Sequence, residues 1–299
     1  MKAFKGFGVG ILSFLLFLSL SVFGIAFMVN NTLFNPDFVV TEVDNIEIST
    51  LIRELTEEQI GSQLPQDAIF LKEAAYQVIS DQEPWLKEQL NTAIYTTYDF
   101  LLGRSAGLDV AISLEPLKAS LKDALQQAFM QNLPSQLTGL PPAELRLYFD
   151  EYYQQIAEQI PSQFQLGESN LPPEAMAQMR LARQYIGYFQ TYYFALIGLM
   201  VLLIAGIVLI NRNIKDATRG LGINFMIYGA LEFAGIYVAR NYAPVNLMVT
   251  DLPPSLQTWL ASVYGDLLAP LQIFSLGLFV AGVVLLAVSI IYQPRVTEE

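Results

Sequence analysis

Four stretches of this chain are too long and too apolar to be ordinary surface helices. Phe7–Val29 and Tyr188–Ile210 each run 23 residues, and Leu271–Tyr292 runs 22, none with a charge. Leu221–Ala239 runs 19 with one charge, Glu232. A helix rises 1.5 Å per residue, so each is long enough to cross a hydrocarbon layer of about 30 Å. The expected fold is mainly α: a four-helix transmembrane bundle built from these runs. The composition agrees, with 53% hydrophobic and 15% charged residues against the roughly 25% charged of soluble domains.

Lys2 and Lys5, with Gly24-Ile25-Ala26 further on, imitate a secretory signal. The apolar stretch nevertheless continues through Phe27, Met28 and Val29, beyond the 7–15 residues of a signal core, so an uncleaved N-terminal anchor over 1–29 is expected. Basic residues set the orientation. Lys2, Lys5, Arg212, Lys215, Arg219 and Arg295 flank the spans on one side, and Arg180, Arg183 and Arg240 on the other. Both termini are therefore expected in the cytoplasm of a multi-pass plasma (cell) membrane protein, with residues 30–187 outside. Tyr188, Tyr192 and Tyr193 at the outer end of the second span read as interface anchors.

The net charge of −12 has a definite location. Residues 30–187 hold 22 acids and 9 bases, a net of −13. This 158-residue stretch is long enough for its own core and is expected to form an acidic extracytoplasmic domain inserted between the first and second spans. Helical periodicity dominates it. Leu114, Leu117, Leu121, Leu125 and Phe129 make one apolar stripe, Leu145, Phe149, Tyr152 and Ile156 another, and Leu86, Leu90, Ile94, Tyr98 and Leu101 a third. Phe38–Ile48 and Leu108–Ser113 read as extended by their alternation and β-branched content. The expectation is about five helices with one or two short strands. From Pro172-Pro173 a single helix should run to Ile210, extending the second span outward as a stalk. The third region, 188–299, contains the remaining spans and an outer amphipathic segment, 253–268, readable as a stalk or as an interfacial helix with Trp259 at headgroup level.

With no His and no Cys, the chain has no imidazole base, thiolate nucleophile or zinc ligand set of the usual kind. No phosphate-cradling Gly-Lys-Ser/Thr, Gly-x-Ser-x-Gly elbow or zincin helix occurs. The reading is therefore a non-enzyme with no catalytic residues, cofactor or metal. Glu232 stands out because a carboxylate within a span is costly and marks function by default. Asn224 and Tyr228 precede it at intervals of four, placing all three on one face of the third span. That face reads either as part of an ion or proton path or as structural glue, with Gln272, Ser275 or Tyr193 as hydrogen-bond neighbours. Gly6, Gly8, Gly10, Ala230, Ala234, Gly277 and Gly282 offer close helix packing. Glu42, Asp44 and Glu47 make a weak cation-site candidate whose plainer reading is a solvated acidic face, and the same holds for Asp150-Glu151 among Tyr148, Tyr152 and Tyr153. Asn30-Asn31-Thr32 matches a glycosylation sequon.

The expected partners are the lipid bilayer and a protein partner or a second copy of the chain; nucleic acid would be repelled by the acidic segment. The expected function is a non-catalytic scaffold or accessory subunit of an envelope complex, whose outer domain binds a partner or ligand. The alternative is a transport component. One span, a large outer domain and three further spans with a stalk are similar in outline to mechanotransmission ABC permeases, by topology and not by any motif. The nine-residue turn Asn211–Arg219 departs from that outline, leaving little room for a cytoplasmic coupling helix, and so do the few residues before the first span. An oligomeric pathway around Glu232 is the other transport reading.

Overall fold

The computed structural model describes residues 2–60, 69–133, 137–167, 170–211, 213–242 and 252–291, which form ten helices and one two-stranded sheet. In order they are α1 (Lys2–Asn31), α2 (Pro36–Asp44), α3 (Ile48–Ile60), α4 (Ile69–Asp81), α5 (Glu83–Leu101), β1 (Asp109–Ser113), α6 (Glu115–Gln131), α7 (Pro142–Ala157), β2 (Gln163–Gly167), α8 (Pro173–Asn211), α9 (Ile214–Tyr242) and α10 (Pro254–Ile291). The protein is mainly helical, and α1, α8, α9 and α10 are each long and apolar enough to cross a membrane. The chain divides into two compact units, one of residues 1–38, 184–250 and 260–299 and one of residues 39–183 and 251–259. The divisions at 183/184 and 259/260 fall inside α8 and α10, so the unit boundary is not a helix boundary there.

The apolar unit is centred on Leu16, Leu20 and Phe23 of α1, Met200, Leu203 and Ile207 of α8, and Leu221 and Tyr228 of α9, with Phe274, Leu278 and Leu285 of α10 packed on them. Phe23 links three helices through its ring, stacking on Tyr193 at 5.3 Å and meeting Phe274 edge-on at 5.4 Å. Between α9 and α10 the contact is made by backbone. A Cβ on Gly229 would lie 2.5 Å from the Ser275 carbonyl, and one on Gly282 would lie 2.5 Å from the Met226 nitrogen. Gly222 and Gly229 on one helix, and Ser275, Gly282 and Ser289 on the other, recur every seven residues and are all buried. A seven-residue repeat keeps one seam facing its neighbour, and small residues on that seam let two membrane helices touch.

Gly6, Gly10 and Gly277 have nothing within 4 Å of an added Cβ, and Ala230 and Ala234 are exposed, so Gly282 alone of those expected small residues belongs to this seam. Only residues 212 and 213 separate α8 from α9, tighter than the nine-residue turn the sequence implied. Asn213 caps α9, its side-chain oxygen accepting from the Lys215 N–H at 3.1 Å. Arg212, Arg295, Tyr292 and residues 243–251 lie outside the described residues.

The polar unit has two small cores. Phe100, Leu108, Val110 and Met176 make one, joining α5, β1 and α8. Leu125, Phe149 and Tyr153 make the other, between α6 and α7. The expected strand at 108–113 is β1, and it pairs antiparallel with β2 from Asp109↔Gly167 to Ser113↔Gln163. The extended reading of 38–48 is overturned: this segment begins with α2. Pro36 sits at the helix start, and the Asn35 side chain accepts from the Asp37 N–H at 3.1 Å. Those start signals outweigh the β-branched residues at 39, 40, 41 and 43, whose helix penalty is only tenths of a kcal/mol each. At the other end of the chain, residues 254–268 continue into the fourth span as one helix, without the break an interfacial helix needs. Pro270 lies inside it and lacks an N–H for the Asp266 carbonyl, a loss that membrane helices tolerate.

Candidate functional site

Helix α9 positions the polar face expected within the third span. Tyr228 is 1% exposed, at the centre of the apolar unit, with Phe17 edge-on at 5.7 Å and Phe274 at 6.3 Å. Its hydroxyl reaches α1 where there is no side chain, since a Cβ on Gly24 would stand 2.6 Å from it. That hydroxyl makes no hydrogen bond among the described residues. Asn224 and Glu232, one turn to either side, are half-buried. Of the neighbours expected for Glu232, Ser275 turns its hydroxyl to the Gln272 backbone carbonyl at 2.9 Å, and the Tyr193 ring stacks between Phe23 and Phe189. The three polar residues share a face, and the surroundings are aromatic rather than charged.

The acidic residues after α1 do not converge. Glu42 is 5% exposed, buried on α2 instead of lying on a solvated face. Asp44 accepts from Asn91 Nδ2 at 3.1 Å, and Glu47 accepts from the Thr50 hydroxyl at 3.0 Å. Among the described residues, no three carboxylates meet in a way that would hold a metal ion. The sequon is also poorly placed, because Thr32 is fully buried with its hydroxyl on the Met28 carbonyl at 2.7 Å.

Carboxylates instead serve as helix caps. Glu83 on α5 accepts from the Ile48 N–H at 3.1 Å, the Ser49 N–H at 3.3 Å and the Ser49 hydroxyl at 2.7 Å, closing the N-terminus of α3. Lys87 pairs with it at 3.0 Å and also donates to the Asp44 carbonyl at 2.8 Å. Partial burial pushes the Glu83 carboxyl up, but these donors outweigh it and hold it below its ordinary value. Glu54 does the same for α10, accepting from the Ser255 N–H at 3.1 Å and its hydroxyl at 2.6 Å. One turn on, Trp259 Nε1 donates to the Glu42 carbonyl at 2.7 Å. Trp259, expected as an interface anchor, has its polar atom bonded to protein backbone. Tyr188 and Tyr192 are exposed, and the Tyr188 hydroxyl accepts from Gln184 at 2.8 Å.

For α7 the sequence pattern puts Tyr152 in the buried stripe and Asp150-Glu151 on a solvated face, and does not single out Leu147; the structure buries Tyr153 in place of Tyr152. Leu145, Phe149 and Tyr153 are the buried side of α7, with the Tyr153 hydroxyl donating to the Lys118 carbonyl at 2.6 Å and Lys122 pairing with Asp150 at 2.8 Å. Opposite them Leu147 is 70% exposed, and flanking the buried side Tyr148 is 53% and Tyr152 48% exposed. The signal was present in the sequence, because a second apolar stripe beside the first leaves one of them without a core to enter. No protein-family model, curated protein or solved structure matches the chain.

Proposed function

We propose that the protein is a non-catalytic integral membrane protein, a scaffold or accessory subunit of an envelope complex, whose polar unit lies outside the cell and binds a partner protein. The observation that carries this reading is a separately cored, acidic helical unit exposing Leu147, Tyr148 and Tyr152 on one helix. Tyrosine and leucine side chains in that setting suit protein recognition, where aromatic residues are enriched. Plasma-membrane residence, cytoplasmic termini and an outer location for the polar unit belong to the same proposal, supported by the basic flanks Lys215 and Arg219 at the start of α9. A photo-crosslinking amino acid at position 147, in native membranes, tests it. Discrete adducts with another protein are expected; only uncrosslinked chain, or adducts with lipid alone, would overturn the reading.

A transport role is the second reading, favoured by one observation: a half-buried Glu232 beside a fully buried Tyr228 on a candidate membrane helix. Four helices enclose little space, so such a path requires an oligomer. Ion flux in proteoliposomes that Glu232→Gln abolishes would favour it, and flux unaffected by that substitution would rule it out.

A further inference from the structure

The outward face of α7 carries more than apolar residues. Glu144, Glu151 and Glu158 recur every seven residues, the last one step beyond the helix but still in its hydrogen-bond pattern, with its N–H on the Gln154 carbonyl at 2.9 Å. At 100° and 1.5 Å per residue they fall in one line about 10 Å apart, and Leu147 and Tyr148 lie within the same arc of about 100°. Tyr148 is held in place from below, its ring stacked on Phe129 at 6.3 Å and 17°.

None of the three glutamates has an ion-pair partner among the described residues, while five of the bases in this unit are already paired: Arg53 with Glu73, Lys72 with Glu57, Lys87 with Glu83, Arg104 with Asp99 and Lys122 with Asp150. The nearest base in sequence, Arg146, lines the groove between α6 and α7 together with Asp123. The exposed face therefore combines uncompensated negative charge at heptad spacing with an exposed leucine and a fixed tyrosine ring.

We propose that this face docks a basic amphipathic helix of a partner protein. The inference rests on the partner-binding reading above and specifies its chemistry. Lys or Arg at seven-residue intervals on such a helix match the three glutamates in register, as charged flanks do in paired helices. Their aliphatic stems cover Leu147, and a cation placed over the Tyr148 ring is attracted by its face. A second copy of the chain would set the same carboxylates against each other, and an anionic leaflet would be repelled by them.

The test uses the full-length protein in phosphatidylcholine nanodiscs. The probe is a fluorescent three-heptad helix with leucine at a and d and lysine at e and g. Its counterpart carries glutamate in place of lysine, and empty discs give the lipid background. The basic probe is expected to bind above background and to weaken about tenfold with Glu144→Gln/Glu151→Gln/Glu158→Gln. The equally charged control Glu88→Gln/Glu115→Gln/Glu174→Gln should change binding less than twofold.

Equal weakening by both triple variants would mean general electrostatic attraction and overturn the assignment. So would an acidic probe that binds as well, no binding of the basic probe above background, or crosslinks between copies through residue 147. Adducts at residue 147 in native membranes, together with unaltered probe binding by the α7 variant, would remove this assignment while leaving the partner-binding reading intact.

Discussion

Replacing Gly229 by alanine tests the α9–α10 seam at its tightest point. The added methyl carbon would stand 2.5 Å from the Ser275 carbonyl oxygen, 2.6 Å from the Phe279 nitrogen and 2.8 Å from the Phe279 Cβ. Two of those atoms are backbone, so no rotamer change relieves the contact. The helices must part by about 1 Å, and the close packing along the seam is weakened with them. Overpacking in a well-packed core costs about 1–3 kcal/mol, and a backbone obstruction belongs at the upper end. Gly277→Ala on α10 is the internal control. Nothing lies within 4 Å of its Cβ, and alanine is the better helix former by about 0.5–1 kcal/mol, so that change should be neutral or stabilising.

The native chain has no cysteine, so Ser289→Cys, at a buried position further along the same seam, supplies a single thiol reporter. Its rate of maleimide labelling in detergent should rise about 100-fold with Gly229→Ala and stay level with Gly277→Ala, since about 3 kcal/mol is about two decades in an opening equilibrium. Adding Gly282→Ala to Gly229→Ala should cost less than the separate effects combined, because the helices have already moved apart. Equal labelling rates for the two alanine variants would refute the seam.

Other substitutions probe the remaining contacts. Gly24→Ala should destabilise the apolar unit by about 1–3 kcal/mol through its clash with the Tyr228 hydroxyl, Tyr228→Phe should be neutral or stabilising because that hydroxyl is unbonded, and the double variant should regain most of the loss in thermal melts. Glu83→Gln should cost about 1–3 kcal/mol through weakened acceptance from Ser49, Ile48 and Lys87. Because the folded-state carboxyl is held low, its stabilisation is complete above its unfolded value and is lost as pH falls through the folded one; wild type should therefore lose an increment of stability below its ordinary value of 4.5 that Glu83→Gln does not. Trp259→Phe should cost about 1 kcal/mol by removing the donor to the Glu42 carbonyl, and Glu54→Ala about 1–2 kcal/mol by uncapping α10, both read by hydrogen exchange at residues 252–262.

Features set by a continuous run of residues were legible in the sequence. The four apolar helices follow from length and absence of charge, and the start of α8 from Pro172-Pro173. What escaped was set by distant partners or by competing local signals. Gly222 and Gly229 acquire meaning only opposite Ser275 and Gly282, and Glu54 caps a serine 201 residues away. In α2, the β-branched residues suggest an extended segment, but the Asn35-Pro36 helix start prevails because a short helix tolerates them. The strand Gln163–Gly167 was missed although its polar–apolar alternation has the right period, because it lacks the β-branched residues that usually mark strands. For the site, the polar face at Asn224, Tyr228 and Glu232 was readable from spacing, whereas the burial of Glu42 depends on tertiary packing that spacing does not encode.

The central proposal is that the acidic unit lies outside the cell and the α8–α9 turn in the cytoplasm. Single cysteines introduced at Leu147 and at Asn213, labelled with a membrane-impermeant maleimide on intact cells, test it most directly. The account predicts labelling at 147 in intact cells and at 213 only after lysis. Labelling at 213 but not at 147 in intact cells, or equal labelling at both, would contradict it.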